Sequence, residues 1–248
     1  MATNRNIRLF MAKNLTPDSI IEIDSSKAHY LHNVMRCAVG STIKCFNRED
    51  GEFLCEIKQL DKKTGALRVI KQIRDIEKES DIWLVFAPLK KDCTDFVVEK
   101  SVELGVSKII PINTAYSISN QIKHDRFCLQ AVEAAEQCER LSVPEVAPMQ
   151  KLEDLLASWD KERVLYFLNE RRDGQSTAEV FASQNSDKAA ILVGPEGGFS
   201  DAEAKLLKEQ SFVKNISLGP RILRAETAAV AALSVWQAIA GDWKNKKD

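Results

Sequence analysis

Arg221, Arg224 and Glu226 fall within six residues of one another in Leu218-Gly219-Pro220-Arg221-Ile222-Leu223-Arg224-Ala225-Glu226-Thr227. The stretch is entered from an apolar run at 213–218 and runs into an alanine-rich helical pattern. Two guanidinium groups and one carboxylate beside flexible backbone, at a helix start, can hold phosphates or the oxygens of a nucleobase. Taken alone they could equally be a plain helix N-terminus, with Glu226 favouring the helix dipole and the arginines pairing with acids. A second stretch shifts the balance. Ile191-Leu192-Val193-Gly194-Pro195-Glu196-Gly197-Gly198-Phe199-Ser200 places three of the chain's ten glycines within five residues, straight after a buried-strand signal. Glycine lets backbone come close to a ligand, and two such loops in succession suggest one pocket.

Neither loop carries a nucleotide fingerprint: G-P-E-G-G lacks the G-x-G-x-x-G spacing, and no G-K-[ST] follows it. Ser200-Asp201-Ala202-Glu203 reads as a capping box, so a helix begins directly after the glycines. The loop therefore sits at a strand's carboxyl end, the edge at which open parallel sheets bind ligands. His29 and His32 lie three apart on a predicted helix, but no further ligand cluster completes a site, and no metal is expected.

The elements that must position these residues fall into two sets. Residues 1–75 read as short strands at 7–10, 19–23, 42–47, 52–60 and 66–73, broken by one helix at 26–36, a pattern that suggests a small β-barrel. From about Asp81 apolar strands at 82–87, 108–112, 164–168, 189–193 and 213–218 alternate with helical patterns at 92–104, 123–139, 152–158, 201–210 and 227–240. Such alternation predicts an α/β domain with a parallel sheet covered on both faces, over residues 80–248.

At 248 residues, 44% apolar and 29% charged, the chain can bury a sizeable core. Its apolar runs are far shorter than the roughly 20 residues of a membrane span, and no targeting pattern opens it, so a cytoplasmic protein with no membrane partner is expected. Six cysteines without a C-x-x-C pair suggest free thiols rather than a disulfide framework. The net charge of −1 hides an asymmetry: 13 Lys+Arg against 9 Asp+Glu, net +4, in residues 1–75, and 22 against 27, net −5, in the rest. The basic part is a weak pointer to nucleic acid.

The pair of stretches 192–200 and 218–228 closely resembles the bacterial 16S ribosomal RNA uracil-N3 methyltransferase family, of the SPOUT class of S-adenosylmethionine-dependent methyltransferases. Arg8-Leu9-Phe10, His29 to Arg36, Lys100 to Val106 and Glu136-Gln137-Cys138 agree with it. The resemblance implies a PUA-like RNA-binding barrel at 1–75 and a SPOUT domain at 80–248 whose C-terminal segment forms a trefoil knot. It also implies a homodimer, S-adenosylmethionine as cofactor, and 16S rRNA within the small ribosomal subunit as substrate. On that basis Leu192, Gly194, Glu196, Gly197, Gly198, Leu218, Gly219, Ile222 and Leu223 are expected at the cofactor, with Thr227 closing the pocket. Arg224 is expected to stabilise negative charge on the uracil, with Glu226 as a candidate base. Arg8, Arg36, Lys90, Lys100 and Arg221 are expected to face RNA. A SPOUT enzyme acting on a ribose 2′-hydroxyl or another base, and a non-catalytic ribosome-assembly factor, stand as alternatives.

Overall fold

Alternating apolar and polar side chains over residues 42–74 build the first sheet. In the computed structural model, which describes residues 7–118, 122–169, 171, 173–184 and 188–244, strands β1 (Arg8–Phe10), β2 (Ile20–Ile23), β3 (Thr42–Asn47), β4 (Gly51–Leu60) and β5 (Gly65–Arg74) pair in the order β1-β3-β4-β5-β2. All pairs are antiparallel except β1 with β3. Three register shifts between β4 and β5 add twist to the sheet. Its inward side chains, among them Ile43, Cys45, Cys55, Ile57, Leu67 and Val69, close over Ala28 and Leu31. The predicted helix at 26–36 is shorter: α1 (Ser25–His29), capped by the Asp24 carboxylate, gives way to a π-helical turn at Tyr30–Val34. Leu31 is the last residue of this segment in the core, and Cys37 N–H closes it by donating to the Leu31 carbonyl.

This compact unit takes in residues 1–78 and also 135–143. Arg8 explains the second segment and corrects an expectation, because this arginine is buried and does not face RNA. Its Nε sits 2.5 Å from the Glu52 carboxylate, and its remaining nitrogens donate to the carbonyls of Ala135, Glu136 and Arg140. Its carbon Cζ lies 4.2 Å from the centre of the Phe46 ring. A buried guanidinium must be paired and fully hydrogen-bonded, and this one is.

The second unit, residues 79–134 and 144–248, starts with β6 (Asp81–Phe86), α2 (Lys91–Glu103), β7 (Lys108–Asn113) and α3 (His124–Gln137), whose last turn belongs to the first unit. It continues through β8 (Glu145–Val146), β9 (Gln150–Lys151), α4 (Leu152–Ala157), β10 (Val164–Leu168), β11 (Gln175–Ser176) and α5 (Thr177–Ala182). It ends with β12 (Lys188–Val193), α6 (Asp201–Lys208), β13 (Val213–Ser217) and α7 (Ala225–Ile239). The sheet order is β11-β13-β10-β12-β6-β7-β8, and every pair is parallel. The chain moves one way from β6 to β7 and β8, then crosses back to build on the other side, so the reversal falls between β6 and β12.

β12 buries all but its first residue, as a strand covered on both faces should. One face meets α4 and α6 through Leu152, Leu155 and Leu207, and the other meets α7. Helix α7 buries Ala229, Ala232, Leu233, Trp236 and Gln237, the i, i+3, i+4, i+7, i+8 stripe of a core-facing helix. No helix of the described residues is long and apolar enough to cross a membrane.

Candidate active site

Strands β13, β10, β12 and β6 are consecutive in the sheet and parallel, so their carboxyl ends open side by side. The segments leaving them border a single cavity of about 670 Å³, within the range of small-molecule sites. Residues 193–196 and Gly198 form one wall, residues 216–219 and 221–226 a second, with Leu168 and Asn169 between them and Lys90 and Cys93 beyond β6.

Both glycine-bearing loops are fixed by features internal to the chain. A Cβ on Gly194 would stand 2.5 Å from the Phe199 ring, which is itself buried edge-on against Phe167 at 5.1 Å between centroids. Phe199 thereby clamps the first loop onto the core, and only glycine leaves room for it. Gly219 has open space around it but a φ of 104°, a backbone state that a side chain disfavours. There the second loop turns away from β13.

The two helix starts differ in how they are capped. At α6 the capping box is complete: Ser200 Oγ accepts from Glu203 N–H, and the Glu203 carboxylate accepts from Ser200 N–H and from Ala115 N–H. The box takes up the Glu203 amide within the helix's own first turn. α7 has Arg224 at its N-cap in extended conformation with no side-chain cap, and Arg224, Ala225, Glu226 and Ala228 all line the cavity. The open amides and positive dipole end that face the pocket belong to α7.

Charge is mixed around the rim. Lys90 Nζ lies 3.4 Å from the Glu196 carboxylate, an exposed pair that contributes little to stability. Arg221 and Arg224 are exposed on the second wall. Desolvation, then the Glu226 and Glu196 carboxylates, push the Cys93 thiol above its usual pKa, against an opposing contribution from Arg224. This thiol stays protonated at neutral pH and is a poor nucleophile.

A family model of an RNA methyltransferase domain matches residues 77–237, and one of an RNA methyltransferase PUA domain matches residues 23–70. The chain belongs to the RNA methyltransferase family. Relatives of this methyltransferase include the ribosomal RNA small subunit methyltransferase E of Rickettsia conorii, 32% identical over 92% of this chain and 93% of that protein. The protein of the same name from Bacillus subtilis is 32% identical over 86% and 87%. Among solved structures, a methyltransferase of Legionella pneumophila in complex with bound SAM superposes with a TM-score of 0.86 at 30% identity, covering 96% of this chain and 99% of that one. The ribosomal RNA small subunit methyltransferase E of Neisseria gonorrhoeae, bound to S-adenosyl methionine, gives 0.87 at 26% identity, covering 96% and 100%.

In the methyltransferase, the cavity brings together Gly194, Glu196, Gly198, Leu218, Gly219, Ile222 and Leu223 with Arg224, Glu226, Arg221 and Lys90. Leu192 lies in the core behind the first wall, Gly197 turns toward Tyr116, and Thr227 is exposed outside the lining. Arg36 is exposed in the first unit, after the π-helical turn, at a φ of 52°. Lys100 lies away from the cavity with its ammonium 2.7 Å from both Glu99 and Glu103, which raise its pKa. Leu168 and Asn169 had no motif to mark them and enter through strand order, because β10 lies between β12 and β13. Asn169 is pinned by donating to the Asp173 carboxylate and accepting from Arg171 N–H.

Proposed function

We propose that this chain moves a methyl group from S-adenosylmethionine to N3 of one uridine in the 16S rRNA of the small ribosomal subunit, acting as a cytoplasmic homodimer. The observation that carries the reading is the single cavity that both glycine-bearing loops share with the uncapped start of α7. The names of the relatives and the cofactor held by the Legionella and Neisseria structures support it.

The residues present fit the cofactor. The cavity has the volume of a small-molecule site, its walls combine Gly194, Gly198 and Gly219 with apolar side chains such as Val193, Leu218 and Leu223, and the open amides of α7 suit a carboxylate. Glu196 and Glu226 place negative charge beside a cationic ligand. Bound there, S-adenosylmethionine supplies a methyl group already activated by its sulfonium. The backbone around Gly194, Gly198, Leu218, Gly219, Ile222 and Leu223 holds it, with Leu192 and Gly197 supporting the first wall and Thr227 at the entrance.

What the chain itself must contribute is alignment and a deprotonated N3. Glu226 takes the N3 proton, and Arg224 holds the negative charge that spreads onto the uracil oxygens. N3 is on the Watson–Crick edge, so the uridine enters splayed out of any helix. Arg36, Arg221 and Lys90 contact phosphates, which position the RNA without selecting its sequence. The insertion of β13 between β10 and β11, with residues 216–219 and 221–226 lining the same cavity as 193–196 and Gly198, supports a knotted C-terminal segment.

Labelled S-adenosylmethionine and undermethylated small subunits test the reading, with mass spectrometry of the nuclease-digested RNA. N3-methyluridine at one site is expected. A 2′-O-methyl nucleoside would assign the ribose instead, and cofactor binding without turnover would leave a non-catalytic assembly factor.

A further inference from the structure

Tyr116 is 55% exposed, on a short turn that follows β7. Exposed as it is, its anchor is rigid. Thr114 N–H donates to Ser117 Oγ at 2.9 Å, Ser117 N–H donates to the Thr114 carbonyl at 3.1 Å, and Ala115 N–H donates to the Glu203 carboxylate at 2.7 Å. Glu203 is buried and also closes the capping box of α6, so one carboxylate ties this turn to the loop 194–200. The tyrosine then packs on Gly197, where an added Cβ would come within 3.2 Å of the Tyr116 Cβ. Gly197 is the one residue of 194–198 that does not line the cavity. Its neighbour Glu196 does line it, and pairs with Lys90, whose side chain is 72% exposed. The loop thus carries the cavity on one side and, at its rim, an exposed aromatic side chain on a hydrogen-bonded turn and a solvated ammonium.

An aromatic face beside a cation is what a single-stranded nucleotide requires: a platform for the base and a charge for its phosphate. We propose that Tyr116 stacks a base flanking the target nucleotide, with Lys90 holding the adjoining phosphate. The base is a flanking one because Tyr116 is not among the residues that line the cavity with Arg224 and Glu226. The proposal rests on the methyl-transfer reading above, but its readout is RNA binding and does not need turnover.

The test measures binding of the full-length protein to fluorescein-labelled 16S rRNA by anisotropy, with S-adenosylmethionine affinity by calorimetry and mass by light scattering, for Tyr116→Ala, Tyr116→Leu, Tyr116→Phe and Tyr116→Trp. Stacking on one base predicts RNA binding roughly tenfold to a hundredfold weaker for Ala and Leu, and near wild type for Phe and Trp. Cofactor affinity and mass stay unchanged. Equal binding by all four overturns the proposal, and so does equal loss in Ala and Phe, which would assign the hydroxyl. A drop in mass alongside the loss would make Tyr116 part of an interface between copies and also overturn it. Wild-type protein that binds RNA but transfers no methyl group defeats the function proposed above, while the anisotropy series still decides the role of Tyr116.

Discussion

Arg224 and Glu226 lie two apart at an uncapped helix start, and their proposed tasks separate in measurement. Arg224→Ala should lower the single-turnover methylation rate by about 10²- to 10³-fold, the loss that follows removal of one donor aimed at developing charge, while S-adenosylmethionine affinity in calorimetry changes little. Full retention of rate would end the role assigned to it. Arg8 makes the opposite point. Its partners are Glu52, 44 residues away, and carbonyls 127 to 132 residues away. A cation near a basic N-terminus reads as a surface group, and burial by such distant residues leaves no local mark. Arg8→Ala leaves three carbonyls without their donor and Glu52 with only the longer 3.7 Å contact to Arg74, and should cost about 3–5 kcal/mol of the first unit's stability in urea melts. A loss within error of zero would show that the ion pair is dispensable. The loop residues were easier to read because glycine spacing and a Ser-x-x-Glu box are local signals.

Among the elements, the long periodic ones were legible and the short ones were not. The strands at 42–47 and 164–168 agree with their patterns to the residue, whereas β8, β9 and β11 are two residues each, below any periodicity. They exist because a neighbouring strand offers them a ladder. β10 also carries a pH prediction. Tyr166, fully buried on it, donates to the Gln184 side chain, and desolvation pushes its pKa up to about 12 from 10.0. The folded state keeps its proton longer than the unfolded chain, so this contribution is intact below pH 10 and is lost as pH rises from 10 to 12. The loss reaches about 2–3 kcal/mol at most. Tyr166→Phe should flatten that part of the stability–pH curve in chemical denaturation; an unchanged slope would place the alkaline sensitivity elsewhere.

On the scale of the whole molecule, the division of labour between two units is itself testable. Arg36, exposed on the PUA-like unit, is proposed to meet phosphate, so Arg36→Glu should weaken RNA binding and lower the slope of log affinity against log salt by about one, with cofactor affinity unchanged. An unaltered salt slope would remove Arg36 from the RNA surface. The charge asymmetry between the units pointed in this direction, but total charge does not say which cations are free. Arg8, expected at RNA from the family resemblance, is held by a carboxylate and by carbonyls within its own unit.

The amino-acid order by itself determined the two element sets, the glycine loops and the helix starts, because each depends on residues a few positions apart. Only the folded chain decided that both loops border one cavity with the start of α7, that β10 contributes Leu168 and Asn169 to it, and that Arg8 is a core group. These depend on strand order and on burial by residues far along the chain. Neither can be computed from neighbours in sequence, since parallel pairing brings together ends that the chain itself keeps apart.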